Sequence, residues 1–153
     1  MPAIVTDQLI NANKDTFIIK SQTDAANNTQ QLSLDGTTPL ATNTPSLAND
    51  SVAFASATIF GQETTNNAYV YAVKFDLVIT TASGEPPTIV SEKKRIFKNN
   101  PPEIDSIPET WHVVPAVINI DTAPFLTFQV SSVTSSSTVK WTGNLELTTV
   151  TGL

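Results

Sequence analysis

A chain of 153 residues is long enough for one domain that buries roughly 68 to 70% of the surface its unfolded form exposes. It has no Cys, which excludes disulfides and thiolate zinc sites, leaves packing as the source of stability and fits a cytosolic folding environment. Fourteen acidic against eight basic residues, a net charge of −6, argue against a groove for nucleic acid phosphates, and no run of about 18 apolar residues offers a membrane span.

Met1 to Ile10 lacks the basic start and apolar centre of a secretory leader, so the chain is read as soluble and without an address. The segment Thr16 to Lys20 (TFIIK) is a short strand between polar flanks, and residues 1–30 are read as an arm or docking segment ahead of a domain spanning 31–153. The competing reading is an ordinary first strand of the domain. Leu32 and Leu34 alternate with polar residues before the turn signal Asp35-Gly36. The connection Thr37 to Asp50 has two prolines and little periodicity, with Leu40 and Leu47 expected to point inward.

Val52 to Phe60 (VAFASATIF) alternates again, with Val52, Phe54, Thr58 and Phe60 on one side and mostly alanines on the other. Small residues there let a second layer approach closely, whether a packed sheet or a neighbouring subunit. After the polar loop Gln62 to Asn67 comes the strongest strand, Ala68 to Thr81. It places Tyr69, Tyr71, Val73, Phe75, Leu77 and Ile79 on one face, and that run predicts the central strand of the sheet.

Ser83 to Pro87 (SGEPP) is a turn. In Thr88 to Lys98 (TIVSEKKRIFK), Ile89 and Phe97 fall in register with Ser91, Lys93 and Arg95, and charges on both faces predict a sheet edge. Asn99 to Pro108 is a proline-rich excursion. Thr110 to Ile120 (TWHVVPAVINI) is a strand in which Pro115 requires an edge or a bulge. Asp121 to Pro124 turns the chain into two further alternating runs. One holds Leu126, Phe128 and Val130, the other Val139, Trp141, Gly143, Leu145 and Leu147, and the polar serines Ser135 to Ser137 between them predict a hairpin. No window shows helical spacing. Six or more strands at short spacing, with prolines and polar turns between them, predict an all-β chain, an antiparallel β-sandwich or jelly roll.

The chemical inventory is thin. His112, the only histidine, stands near Asp105 and Glu109 in sequence. It is either a general base oriented by one of them or a half-exposed strand residue beside a core tryptophan, and the second reading is preferred. Glu103, Asp105 and Glu109 suit a calcium loop in type but sit among four prolines, the mark of a solvated turn. No HExxH, CxxC or DxDxDG spacing occurs, so no catalytic, cofactor-binding or metal-ligating residues are assigned, no cofactor is called and no enzyme is expected. The basic cluster Lys93, Lys94 and Arg95 cannot form one patch on a strand. Edge protection is favoured over contact with an acidic neighbouring subunit. Asn27-Asn28-Thr29 and Asn49-Asp50-Ser51 match the glycosylation triplet in a chain where such triplets are common by chance. Tyr69, Tyr71 and Trp111 would stack on sugars if exposed, yet their register with aliphatic residues places them in the core.

The order of strands from Ser51 to Val150 resembles a β-sandwich domain of structural proteins in tailed bacteriophage virions, found in fibres and capsid-associated proteins. The resemblance is carried by SVAFASATIF, AYVYAVKFDLVIT, VSEKKRIFK and WHVVPAVIN, and by an ending formed of Leu126, Phe128, Val130, Val139, Trp141, Leu145, Leu147, Thr148 and Val150. Serines replace the glycine usual in the last turn, and Pro101 to Pro108 is an added excursion. The resemblance implies a virion component assembled in the bacterial host cytoplasm, a capsid decoration or tail-fibre-type module. Its partners would be copies of itself, often as a homotrimer, and other virion proteins such as the major capsid protein, with neither nucleic acid nor membrane. The alternative it leaves is a host-receptor or glycan-binding module.

Overall fold

Side chains that alternate with period two force each long strand to turn one face to a dry interior. The computed structural model describes residues 11–64, 70–99, 111–132 and 138–151. In chain order its strands are β1 (Asn11–Thr23), β2 (Thr29–Gln31), β3 (Ser51–Glu63), β4 (Val70–Thr81), β5 (Thr88–Asn99), β6 (Trp111–Ile120), β7 (Ala123–Ser132) and β8 (Val139–Thr151). They form a five-stranded sheet in the order β1-β8-β3-β4-β5 and a three-stranded sheet in the order β2-β7-β6. Every pairing is antiparallel, and no helix occurs among the described residues. The chain is all-β and sandwich-like, as the alternation predicts.

The core lies between the sheets. Phe75 of β4 meets Phe128 of β7 across the gap, with ring centroids 5.7 Å apart. Trp111 of β6 and Trp141 of β8 do the same at 6.1 Å. Ala55 and Ala57 of β3 are buried between Leu147 and Leu145 of β8 on one side and Leu77 and Phe75 of β4 on the other, and Ala53 is buried beside Ile79. Methyl groups in the middle of the sheet leave room for the large side chains flanking them, the small-large alternation a close-packed layer requires. Each large apolar side chain buried in this way contributes roughly 1.5 to 3 kcal/mol.

Several expectations are corrected. The runs around Phe128 and Trp141 do not form a hairpin: β7 pairs with β6 and β2, while β8 pairs with β1 and β3, so the chain crosses between sheets after Ser132. Alternation marks which face is dry but not which strand lies alongside, and both runs turn their dry faces to the same core. The hairpin partner of β7 is β6, through the two-residue turn Asp121-Thr122, both with positive φ (52° and 67°), the signature of a type I′ turn. The centre of the large sheet is β3, not the more hydrophobic β4, which lies one strand from the edge.

In β5, a bulge at Val90 opposes Ile89 to Ile79 and Ser91 to Val78. One extra residue inverts the phase, so Ile89 packs against the core while Phe97 faces outward. Leu47 is buried as expected, but Leu40 is 56% exposed. Thr16 to Lys20 belong to the longer edge strand β1, so residues 11–23 of the segment read as an arm are part of the sheet. Residues 1–10 and most of the proline excursion lie outside the described residues. β5 is an edge strand, and so is β6, where Pro115 sits.

Candidate interaction surface

Because the odd-numbered positions of β3 are buried, Val52, Phe54, Ser56, Thr58, Phe60 and Gln62 point away from the core. The registers extend that face across five strands. One row runs Lys20, Thr142, Phe60, Ala72 and Phe97; another runs Thr16, Glu146, Ser56, Asp76 and Lys93. On this outer face Phe54 is 50% exposed, Phe60 49%, Phe97 46% and Ile18 57%. A depression of roughly 370 Å³ opens between Phe54, Val78, Asp76, Lys93 and Glu146.

Charged side chains surround the rings. Lys93 stands across from Asp76, and Arg95 from Lys74. The Arg95 guanidinium lies 4.7 Å from the centre of the Phe97 ring, a cation–π contact. Lys14 pairs with Glu146. A half-exposed aromatic with a cation beside it gains little in isolation and more once a partner excludes water.

Among the described residues, those singled out for chemistry do not gather into a reaction centre. His112 is half-buried on β6 opposite Ser131, while Asp105 and Glu109 lie outside the described residues, as do Glu103 and Tyr69. Among the described residues no group of three or more His, Cys, Asp or Glu is placed to hold a metal ion. Tyr71 and Trp111 are buried, and burial pushes the Tyr71 phenol above its ordinary value of 10.0. They are core and not platforms for sugars. Lys93 and Arg95 share the outer face while Lys94 projects from the other side, over the Phe75 ring at 5.7 Å.

Sequence reading set Phe54 and Phe60 on one side of β3 without finding that this side is wet. The signal was available in β8, whose polar positions Thr148 and Thr142 come to lie opposite Phe54 and Phe60.

The fold and this surface define an all-β protein of two packed antiparallel sheets with an aromatic and cationic outer sheet face. No family model and no curated protein matches the chain. Among solved structures, the tailspike protein of Acinetobacter baumannii phage AM24 is similar at 12% identity and a TM-score of 0.41, over 97% of this chain and 27% of that one. A structure of infectious bursal disease virus, Gx strain, is similar at 10% identity and a TM-score of 0.33, over 91% of this chain and 32% of the other. The chain thus spans about a third or less of either, and both likenesses are too distant to carry function.

Proposed function

We propose that this chain is a structural component of a tailed bacteriophage virion, a capsid decoration or fibre-type module that works by subunit–subunit assembly and catalyses no reaction. One observation carries the reading: Ile18, Phe54, Phe60 and Phe97, each about half exposed, share the outer face of the five-stranded sheet. Large apolar side chains left half exposed on one sheet face mark a macromolecular contact, and in an assembled shell a neighbouring subunit covers them. The strand pattern from Ser51 to Val150 adds the resemblance to virion sandwiches. Its partners are copies of itself, with a homotrimer favoured, and other virion proteins such as the major capsid protein.

Quantitative mass spectrometry of gradient-purified particles tests the proposal. Peptides of this chain are expected at a fixed ratio to the major capsid protein. Their absence from particles whose host cells express the chain contradicts it.

A further inference from the structure

We infer that the outer face of the five-stranded sheet is a heterologous contact, occupied by a second copy of this chain that presents its acidic surface. The inference rests on the assembly reading above and specifies its partner. Lys14, Lys20, Lys74, Lys93, Arg95 and Lys140 all occupy outward positions on this face, against Asp76 and Glu146 alone among the described residues, whose charges there sum to +4. The other described charged positions are eight acids against Lys94 and Lys98, a charge of −6. The protein is acidic as a whole, with six of its eight cations collected on one sheet face.

That segregation decides the symmetry of the contact. Two copies of this face brought together about a two-fold axis would set +4 against +4 across a desolvating interface, so an isologous pairing is disfavoured. An acidic counterpart is required, and the chain carries one. At one end of the sandwich Asp50, Glu85 and Asp121 lie in turns that contain no Lys or Arg among the described residues. Asp50 accepts hydrogen bonds from the Ser83 amide (2.9 Å) and hydroxyl (2.8 Å), which ties two of these turns together.

Between the turns is a depression of roughly 400 Å³ whose walls include Glu85, Pro86, Asn119 and Pro124. It offers a concave, partly apolar seat for a half-exposed phenyl ring, with Glu85 in its wall. Face and end are different surfaces of one subunit, so each copy both offers and accepts the contact. Such contacts close into a ring or run on as a file.

Sedimentation equilibrium on the full chain tests this, with circular dichroism melting to show that each variant folds. Wild type is expected to form defined multiples of its 16.4 kDa mass. Lys93→Glu with Arg95→Glu, and separately Glu85→Lys, are each expected to weaken self-association by at least about tenfold. The triple variant, which sets the new lysine against the new glutamates, is expected to restore part of it. Phe54→Ser with Phe60→Ser, which leaves charge untouched, is expected to weaken it as well. Wild type that stays monomeric, or association unchanged in the Lys93/Arg95 variant, overturns the inference. Loss of heparin binding in that variant while wild type stays monomeric would instead assign the face to a polyanion, and also overturns it. Either result leaves the virion reading standing if the chain is still found in particles; absence from particles overturns that reading alone.

Discussion

Gly61 and Trp141 stand directly opposite one another on β3 and β8, and the indole lies over the space a side chain at position 61 would fill. A Cβ on Gly61 would sit 2.6 to 2.9 Å from three ring carbons of Trp141. The glycine makes room for the largest buried side chain of the core. From that seat the ring reaches Tyr71 edge-on at 6.1 Å and Trp111 of the opposite sheet at 6.1 Å. Gly61→Ala is therefore expected to destabilise by about 1 to 3 kcal/mol through overpacking, and Trp141→Ala by about 3 to 5 kcal/mol through the cavity left. Urea unfolding measures both. An unchanged midpoint for either variant would mean that the ring does not occupy this seat.

The same indole ties three strands by hydrogen bonds. Its Nε1–H donates to Thr23 Oγ1 of β1 at 2.9 Å, and that hydroxyl is 2.6 Å from Ser132 Oγ of β7. All three groups are buried. Thr23→Val preserves the shape but leaves the indole N–H without an acceptor, at an expected loss of about 1 to 3 kcal/mol. A double-mutant cycle with Ser132→Ala should show non-additive losses, because both changes break one network. Strict additivity would contradict the network.

Asp35 predicts a pH dependence. The Thr37 hydroxyl and amide, with help from Asn43 and Ser33, donate to its carboxylate and hold its pKa at about 2 against an ordinary 3.8. A depressed folded-state pKa contributes stability that is fully present above the unfolded value and is lost as pH falls through the folded one. Between about pH 4 and pH 2 the wild type should lose stability more steeply than Asp35→Asn. Parallel curves for the two proteins would show that the loop from Asp35 to Asn43 does not depend on this carboxylate.

Thr122 holds φ at +67° in the β6–β7 turn, a conformation that β-branched residues rarely adopt. Thr122→Gly relieves that cost and is expected to stabilise by roughly 1 kcal/mol, readable as a higher melting temperature. A lower melting temperature would mean that the threonine side chain contributes more than its backbone costs.

The strands were legible because alternation with period two is written into the chain: Tyr71, Val73, Phe75, Leu77 and Ile79 read as one buried face and are one. Pairing was not legible. The stretches around Phe128 and Trp141 look like neighbours, yet they face each other across the core, since periodicity records burial and not partnership. The outward aromatic face was hidden for a different reason. On β3 the alanines go inside and the phenylalanines outside, the reverse of a ranking by hydrophobicity, because Phe75, Leu145 and Leu147 already fill the space beside them. The bulge at Val90 inserts one residue without a glycine or proline to mark it, so the phase of Phe97 was read from the wrong side of the inversion.

An electron-microscopy map of the intact particle tests the central claim most directly. It should contain this two-sheet fold in repeated copies, with Phe54, Phe60 and Phe97 covered by a neighbouring subunit whose acidic turns approach Lys93 and Arg95. A particle without the fold, or one in which those three rings face solvent in every copy, would contradict it.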